Sequence, residues 1–289
     1  MNQNIDIIVP TFNRPLDLKK FIVEIQKQTY PNFKVWIIDD HGEIKIKQLI
    51  PQNDQFVFIR QPENKGQTYA RNIAIESSSG DIVISMDDDA WFENDINALQ
   101  KIINYFDEYS DLGCLMFNVA TPLTDYTTNK EKGCSIPLHI TCGCAYQRNV
   151  IENIGGFSGY LHSGAEETDI SLKIYSMNYK IRFAPDIKIF HNFNPNIRSK
   201  KWYRVNRYHC TRNDLLIVVM RYPLKLIPIY LVGKYLNQIL YDLKNKNIIT
   251  AIYISILGLL GFLVKLPIAI KFRKPLSVEK YNYWRRLFN

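Results

Sequence analysis

Three short runs of apolar, mostly β-branched residues stop abruptly at polar positions, as buried strands do where they reach solvent. Each run is followed by a pattern with the spacing of an apolar helix face. The runs are residues 5–9 before Thr11, 34–38 before Asp39 and 82–86 before Asp87, and the clearest helical patterns are Leu18, Phe21, Ile22 and Ile25, and then Ile96, Leu99, Ile102, Ile103 and Phe106. Alternating strands and helices predict an α/β fold with a mostly parallel sheet and helices on both faces.

The carboxyl ends of these strands carry the polar residues of greatest interest. In an open α/β sheet the ligand binds outside the carboxyl ends of the strands. Thr11, Asp39 and residues 87–89 all fall there. The pattern therefore predicts one ligand site along this edge of the sheet.

Asp87, Asp88 and Asp89 place three carboxylates side by side at the end of the third run. Such crowding of like charges needs a neutralising partner, and a divalent cation that carries a phosphate group is a common one. An acidic turn exposed to water is the alternative explanation. The position at a strand end, together with Thr11 and Asp39, favours the cation.

Length and composition limit the architecture. The chain has 289 residues, 46% hydrophobic and 13% aromatic, which is enough for one large domain or for one domain with an appendage. No basic segment followed by an apolar core marks the N-terminus, so we expect no signal peptide. The five cysteines form an odd set without paired zinc spacing, and Cys142-Gly143-Cys144 has too few ligands for structural zinc. Free thiols in a reducing compartment are the better interpretation.

Charge is distributed unevenly along the chain. Residues 1–190 carry 18 Lys and Arg against 25 Asp and Glu, a net charge of −7, whereas residues 191–289 carry 18 against 3, a net charge of +15. The basic part therefore has a partner of its own, such as anionic lipid headgroups or a diphosphate-bearing acceptor. We expect no nucleic-acid partner, because no recognisable nucleic-acid-binding module accompanies the charge.

An uncharged stretch at residues 248–264 lies within the basic part and contains Gly258 and Gly261. A spanning helix needs about 20 apolar residues, so this stretch is at the lower limit. Basic residues on both sides favour a helix or hairpin in the headgroup region. A true membrane span and a core helix of a C-terminal bundle are the alternatives.

The chain resembles the family 2 glycosyltransferases of the GT-A fold from about Ile5 to Asn213. No single motif is specific, but the occurrence of all of them in the family's order is specific. The matching residues are Val9-Pro10-Thr11-Phe12-Asn13-Arg14, Ile37-Ile38-Asp39-Asp40, Asn64-Lys65-Gly66 with Ala70-Arg71-Asn72, Met86-Asp87-Asp88-Asp89, Gly155-Gly156-Phe157, Glu166-Glu167-Thr168-Asp169, His191 and Arg212-Asn213.

This resemblance implies a GT-A domain over residues 1–198 that binds a nucleotide-sugar across the strand ends. Residues 199–289 would then be a helical, basic and partly apolar region, associated with the membrane and facing the acceptor. Asp39 would accept a hydrogen bond from the base, and Arg71 would reach the base or the diphosphate, unless these two simply pair with each other. The donor-binding residues implied are Pro10, Thr11, Asn13, Arg14, Asp39, Asn64, Lys65, Gly66, Arg71, Asp87 and Asp88.

The resemblance also implies a cation and a catalytic base. Asp87 and Asp89 match the family's DxD pair, which holds Mg²⁺ or Mn²⁺, and His191 matches a position that completes the metal shell in some relatives. A structural role for that histidine is the alternative. Glu167 would be the general base, but relatives often have Asp there, so Asp169 or Glu166 could take the role instead. Simple stabilisation of a helix N-terminus is the other explanation for these carboxylates.

We therefore expect an inverting, metal-dependent glycosyltransferase that uses a UDP- or dTDP-sugar and extends a polyprenol-diphosphate-linked glycan. It would be peripheral, on the cytoplasmic side of a bacterial membrane. Relatives often have an acidic residue soon after the position of Phe157, which this chain lacks, so the acceptor loop would differ in detail. The alternatives are a protein or teichoic-acid acceptor, a metal-dependent nucleotidyltransferase, and a non-enzymatic membrane adaptor.

Overall fold

The computed structural model describes residues 3–194, 199–245 and 248–288. It contains a single large sheet with helices around it. The strands are β1 Ile5–Thr11, β2 Phe33–Asp39, β3 Phe56–Arg60, β4 Ile82–Met86, β5 Ala90–Phe92, β6 Leu112–Ala120, β7 Gly143–Gln147 and β8 Lys180–His191. The helices are α1 Pro15–Ile25, α2 Gln67–Ser77, α3 Ala98–Glu108, α4 Arg148–Asn153, α5 Glu166–Ser176, α6 Lys200–Arg221, α7 Ile227–Asn245, α8 Ile248–Lys271 and α9 Val278–Arg286.

The sheet has eight strands in the order β3-β2-β1-β4-β7-β6-β8-β5. The four strands from β3 to β4 are parallel to one another, and β6 and β8 also form a parallel pair. β7 runs antiparallel to both of its neighbours, and β5 is antiparallel to β8. The sheet is therefore mixed but mostly parallel, which confirms the predicted fold class.

Each face of the sheet is covered by an apolar layer of helices, as the helical spacing predicted. Phe21 of α1 and Leu99 of α3 belong to the buried cluster on one face. Ile75 of α2, Ile170 of α5 and Leu216 of α6 belong to the cluster on the other. Since buried strands must be covered on both faces, this arrangement accounts for the continuous apolar runs of β1 and β4.

Two local predictions were wrong. β2 is not followed by an α-helix: the connection to β3 contains only a 3₁₀ turn, Lys47–Leu49, and its Ile46 and Ile50 fill the core where a helix would pack. Ile96 is half-exposed and precedes α3, so the helix begins two residues later than the spacing indicated. In both places the neighbouring core decides which apolar residues are buried.

The C-terminal helices share the core of the sheet domain. α6 lies along the second face, and α8 packs closely against α6. A Cβ added at Gly258 would lie 2.6 Å from Thr211 Cγ2, and one added at Gly261 would lie 2.5 Å from the Tyr208 hydroxyl. The two glycines of the uncharged stretch therefore let these helices approach each other. The predicted domain boundary, at 198/199, falls at the start of α6, although the core continues across it.

α8 is the one helix in the described ranges that is long and apolar enough to cross a membrane. Its most apolar 18-residue stretch has a mean hydropathy of 2.2, and 28% of that stretch is buried. α7 and α8 leave many apolar side chains exposed, spaced three or four residues apart so that they form a stripe on each helix. We call these the α7–α8 stripes, and they comprise Ile229, Val232, Leu236 and Leu240 on α7 and Ile249, Ile252, Tyr253, Ile256, Leu260, Leu263 and Val264 on α8.

Candidate active site

The three aspartates lie between β4 and β5, at the centre of the carboxyl edge of the sheet. Asp88 and Asp89 are almost fully buried. Asp88 accepts a hydrogen bond from the Thr11 hydroxyl at 2.7 Å, and the Arg14 guanidinium contacts Asp88 at 3.1 Å and Asp89 at 2.6 Å. The N-terminal strand and the loop after it therefore supply the first partners of the crowded carboxylates.

Asp88 shows how costly this crowding is. Burial raises its pKa to about 7, and although the positive charge of Arg14 opposes the rise, the negative charge of Asp89 adds to it. A carboxyl group with this pKa is partly protonated at neutral pH. The site therefore gains from any further positive charge placed among the carboxylates.

His191 joins the carboxylates because β5 pairs with the end of β8, which places Ala90 opposite His191. Its Nε2 lies 3.1 Å from Asp89 Oδ1 and 3.8 Å from Asp87 Oδ2. Burial lowers the pKa of His191, but the Asp89 hydrogen bond and the charge of Asp87 outweigh burial, so the pKa is raised. The predicted set Asp87, Asp89 and His191 is therefore together in space.

These residues fit a divalent cation. Two carboxylates and an imidazole are oxygen and nitrogen donors of the kind that Mn²⁺ and Mg²⁺ accept in proteins. Burial keeps the pKa of Asp88 raised despite the charge of Arg14, so a further cation nearby would stabilise its ionised form. Arg14 would have to leave Asp89 for a cation to bind there, and it can do so because its side chain is 30% exposed.

Asp87 is held from behind by Arg71. The Arg71 guanidinium pairs with Asp87 Oδ1 and donates to the Ser85 hydroxyl at 3.0 Å, and Arg71 has no exposed surface. The alternative that Arg71 pairs with Asp39 is wrong, because Asp39 pairs with Arg60. Since Arg71 is enclosed behind Asp87, its position suits orienting that carboxylate rather than touching a nucleobase.

Asp40, the neighbour of Asp39, shapes the loop that begins α2. Its two carboxylate oxygens accept hydrogen bonds from the backbone N–H groups of Lys65 at 2.9 Å and Gly66 at 2.8 Å. Gly66 has φ = +89°, and a Cβ added there would lie 2.9 Å from the His162 ring. Glycine is therefore required at this position both by the backbone and by the space available.

A cleft of about 310 Å³ opens between the first strand end, this loop and the aspartates; we call it the donor cleft. It collects most of the residues that the resemblance assigned to the donor. Its lining comprises Pro10, Thr11, Phe12, Arg14, Asp40, Asn64, Gly66, Gln67, Asp87, Asp88, His162 and Trp202.

Four predicted donor residues do not line this cleft: Arg71, which is enclosed behind Asp87, and also Asn13, Lys65 and Asp39. Asn13 accepts a hydrogen bond from the backbone N–H of Ile44 at 3.1 Å, so it fixes the neighbouring loop. Lys65 pairs with Glu63 at 3.0 Å on the surface. Asp39 is buried and accepts a hydrogen bond from the backbone N–H of Gly42 at 2.8 Å.

A second cleft of about 350 Å³ adjoins the first; we call it the acceptor cleft. The two clefts share four residues, which are Arg14, Gln67, Asp87 and Trp202. The acceptor cleft also contains Glu166, Glu167, Cys142, His191 and Phe193. The aspartate cluster therefore separates two connected spaces rather than closing the end of one.

Glu167 lies in the first turn of α5 and is partly exposed in the acceptor cleft. One of its carboxylate oxygens accepts a hydrogen bond from the Thr141 hydroxyl at 3.0 Å, which holds the side chain in the lining of the cleft. The loop before α5 is held by Asn213, whose side-chain amide donates to the carbonyls of Ser163 at 2.8 Å and Gly164 at 2.6 Å. α6 thereby fixes the position at which α5 begins.

Glu166 is buried beside Glu167 and accepts a hydrogen bond from Gln67. Burial, reinforced by the charge of Glu167, raises the pKa of Glu166 to about 8. A group with this pKa is mostly neutral at pH 7. This makes Glu166 a poor proton acceptor next to Glu167 at that pH.

Asp169 is not brought to the acceptor cleft. It is fully buried on the other side of α5, where it pairs with Arg221 at 2.6 Å and Lys173 at 3.3 Å and accepts a hydrogen bond from Ser158. Burial alone would raise the pKa of Asp169, but the positive charges of Lys173 and Arg221 lower it to about 2. Of the three acidic residues considered as the base, Glu167 has the most suitable position.

Several site residues were not expected from the sequence, chiefly Gln67, Thr141, Cys142, His162 and Trp202. Gln67 immediately follows the glycine of a recognised motif, so its proximity to the site could have been anticipated. The others come from segments without a motif. They reach the site because the segments before β7 and α5 and the start of α6 all return to the same edge of the sheet.

Comparison with known proteins identifies the family of this chain. Residues 6–168 match the family described as Glycosyl transferase family 2. The uncharacterized glycosyltransferase YwdF of Bacillus subtilis is 27% identical over 201 residues, which are 65% of this chain and 74% of that protein. Glycosyltransferase GlyA of Streptococcus pneumoniae is 26% identical over 195 residues, but the match spans only 26% of its length.

Solved structures share the fold. The mannosyltransferase PcManGT from Pyrobaculum calidifontis, solved with GDP-Man and Mn²⁺, covers 99% of this chain and 84% of its own, with a TM-score of 0.59 and 16% identity. S. aureus TarS 1-349, solved with UDP-GlcNAc, covers 87% and 90% respectively, with a TM-score of 0.60 and 15% identity.

The sheet with its acidic carboxyl edge and the matched region together define a nucleotide-sugar-dependent enzyme of the GT-A type. The chain belongs to glycosyltransferase family 2. It is therefore a glycosyltransferase, and the nucleotidyltransferase and adaptor alternatives no longer apply.

Proposed function

We propose that this chain is an inverting, divalent-cation-dependent glycosyltransferase that moves a sugar from a UDP- or dTDP-sugar to a hydroxyl of a lipid-linked glycan in bacterial polysaccharide biosynthesis. The observation that carries the proposal is that the donor cleft and the acceptor cleft meet at Asp87. A donor held at the carboxylates presents its anomeric carbon to the space where Glu167 lies. The donor and the acceptor thus lie on either side of Asp87.

On the donor side, the nucleoside lies along the wall formed by Thr11, Asn64 and Gly66, with the base toward the end of β2, where Asp39 is held. Asp87, Asp89 and His191 are the residues that would hold the cation, which when bound offsets the negative charge that develops on the departing nucleoside diphosphate. Arg14 leaves Asp89 and binds the diphosphate instead, because its planar guanidinium matches the geometry of phosphate oxygens.

On the acceptor side, Glu167 accepts the proton of the acceptor hydroxyl. The hydroxyl oxygen forms its bond to the anomeric carbon while the bond to the diphosphate breaks on the opposite face, so the configuration inverts. Thr141 holds the Glu167 carboxylate, and the paired rings of Phe193 and Trp202, 6.1 Å apart, flank the space for the acceptor sugar.

The lipid part of the acceptor accounts for the C-terminal helices. The α7–α8 stripes expose apolar side chains, and Lys271, Arg273 and Lys274 follow at the end of α8. Apolar area and basic charge together favour a peripheral position on an anionic membrane. We place the enzyme on the cytoplasmic side of the bacterial membrane, where nucleotide-sugars are available to it.

A thermal-shift panel tests the donor assignment. UDP- and dTDP-sugars should raise the unfolding temperature only when Mn²⁺ or Mg²⁺ is present, whereas GDP- and CMP-sugars should not. At a ligand concentration of about 100 times Kd, mass action stabilises the folded state by about 2.7 kcal/mol. The shift should vanish in Asp89→Ala and persist in Asp54→Ala, which changes an exposed aspartate on the surface.

Equal stabilisation in EDTA, or an unchanged shift in Asp89→Ala, would contradict the cation assignment. Stabilisation by GDP- or CMP-sugars alone would contradict the donor assignment. With the donor known, transfer to a polyprenol-diphosphate-linked glycan should exceed transfer to a protein or to a teichoic-acid polymer. The reverse order would replace the lipid-linked acceptor with one of those two.

A further inference from the structure

The Cys142 thiol lies directly beside the cation-binding carboxylates. Cys142 precedes β7, and its Sγ is 3.3 Å from His191 Nδ1. The opposite ring nitrogen of the same histidine faces Asp89 and Asp87. His191 therefore stands between a set of carboxylates on one side and a thiol on the other.

Asp87, Cys142 and His191 form a compact group of possible ligands. One donor atom from each residue lies within 4.8 Å of the other two. Asp87 Oδ1 is held by Arg71, which leaves Oδ2 directed toward the imidazole. A rotation of the imidazole that turns one ring nitrogen toward both the thiol and Oδ2 would bring the three donor atoms around a single ion, with bonds of about 2.0–2.3 Å.

This donor set differs in chemistry from the carboxylate set. Sulfur, nitrogen and oxygen donors in one site are typical of Zn²⁺, whereas Mn²⁺ and Mg²⁺ prefer oxygen. Zn²⁺ also binds a given set of nitrogen, oxygen and sulfur ligands more tightly than Mn²⁺ does. In addition, Zn²⁺ at Cys142 would not need Arg14 to leave Asp88 and Asp89.

We propose that Cys142, His191 and Asp87 form a Zn²⁺ site that overlaps the site for the catalytic cation. The thiol loses its proton to solvent when its sulfur binds the ion. Because Asp87 and His191 serve both sites, Zn²⁺ excludes the catalytic cation and inhibits transfer. The inhibition rests on the proposed function, whereas the binding of Zn²⁺ does not.

A second cluster of similar composition serves as an internal comparison. Cys114, His139 and Cys144 also lie close together, but all three are buried in the core. Both ring nitrogens of His139 are already engaged, one by the Ser171 hydroxyl at 3.0 Å and the other by the Tyr146 hydroxyl at 2.6 Å. Cys142 is buried too, but it lines the acceptor cleft together with Asp87 and His191, which are partly exposed there.

Absorption spectroscopy with Co²⁺ alone tests the site without a donor or an assay. Co²⁺ replaces Zn²⁺ in such sites, and a thiolate ligand gives it a near-ultraviolet charge-transfer band. The band should form in the wild-type protein, disappear in Cys142→Ser and Cys142→Ala, and persist in Cys134→Ser, whose thiol lies outside both clefts. Calorimetry should show that Cys142→Ser loses more than the roughly 10- to 100-fold in Zn²⁺ affinity that an outer-shell change costs.

Folding of the variants is checked by circular dichroism, and two replacements of different polarity guard against the failure of one. Absence of the band in the wild-type protein, or its persistence in both Cys142 variants, would overturn the proposal. In a transfer assay saturated with Mn²⁺, the Zn²⁺ concentration for half-inhibition should rise at least tenfold in Cys142→Ser. If Zn²⁺ binds through Cys142 but no transfer is detected, the zinc site stands and the proposed function fails.

Discussion

The carboxyl edge of the sheet and the α7–α8 stripes deal with unfavourable groups in opposite ways. At the sheet edge, crowded carboxylates are buried, and the chain itself supplies their partners, such as Arg14 and Arg71. On α7 and α8, apolar side chains are exposed in rows. In the first region most of the charged groups find partners within the protein. The second region has the character of a surface that is covered by something outside the protein, such as lipid.

The comparison predicts different consequences of mutation. At the sheet edge and around α5, changing one charged group leaves its buried partner uncompensated, so effects on chemistry or stability should be large. On the stripes, substitutions should alter attachment to a membrane while leaving the fold and the donor site intact.

Glu167→Gln should reduce turnover by roughly 10²–10⁴-fold, because the amide keeps the shape of the side chain but cannot accept a proton. Donor affinity should stay nearly unchanged, since Glu167 lines the acceptor cleft. Steady-state kinetics with donor titrations measure both quantities. Glu152→Gln, an exposed position on α4, is the matched control. Near-normal turnover in Glu167→Gln would show that another group is the base.

Asp169→Asn should destabilise the protein by about 3–5 kcal/mol, because it leaves Lys173 and Arg221 buried without their negative partner. Denaturant unfolding measures this, with Asp54→Asn as the exposed control. If Asp169→Asn abolished transfer without changing the unfolding midpoint, Asp169 and not Glu167 would be the catalytic group.

The same residue makes a pH-dependent contribution. The folded-state pKa of Asp169, about 2, is below its ordinary value of 3.8. Its contribution to stability is therefore fully present above about pH 4 and is lost as the pH falls toward 2. Wild-type stability should fall in this window with a component that Asp169→Asn lacks.

Leu236→Asp combined with Ile256→Asp should abolish flotation with anionic liposomes, since each buried apolar side chain contributes roughly 1.5–3 kcal/mol. The wild-type protein should float and be partly released by high salt, because basic residues near the surface add about 1 kcal/mol each and are screened. Donor-induced thermal shifts should be unaffected. A wild-type protein that ignores such liposomes would contradict the membrane role.

Truncation cannot replace these substitutions. Phe262 of α8 and Tyr281 and Trp284 of α9 are buried in the cluster that covers the sheet. Deleting residues 248–289 would therefore open the core as well as remove the stripes. Only changes confined to exposed positions separate attachment from folding.

Glu166→Gln should flatten the dependence of stability on pH. Burial raises the folded-state pKa of Glu166 from 4.5 to about 8, so ionisation disfavours the folded state progressively between these values. Relative stability should favour the variant above pH 8, because its amide stays neutral. Unfolding at several pH values measures this, and identical profiles for the two proteins would contradict the raised pKa.

Local sequence was enough to predict β1, β2 and β4, their polar ends and the apolar faces of α1 and α3. β1, β2 and β4 coincide with the three apolar runs, because burial on both faces leaves a continuous signal. The antiparallel insertion of β7 was not predictable. Its pairing joins segments about 60 residues apart, and residues 143–147 alone do not specify a neighbour.

The candidate site follows the same division. Thr11 was found because it ends β1, and Asp88 and Asp89 because they directly follow β4. Cys142 and Trp202 were missed, since they reach the site only through pairing and helix packing far along the chain. For Arg71 the sequence indicated that it lies near the site but not that it is fully buried. Only the packed structure shows that it is enclosed behind Asp87.

Arg14 gives the free enzyme a built-in counter-ion. Its guanidinium already balances part of the charge of Asp88 and Asp89, so a free Mn²⁺ must displace a tethered cation and should bind weakly by itself. A nucleoside diphosphate changes the balance, because it offers Arg14 new anionic partners while bringing negative charge for the metal to neutralise. We therefore expect metal and nucleotide to enter as a neutralised pair, with each appearing to require the other.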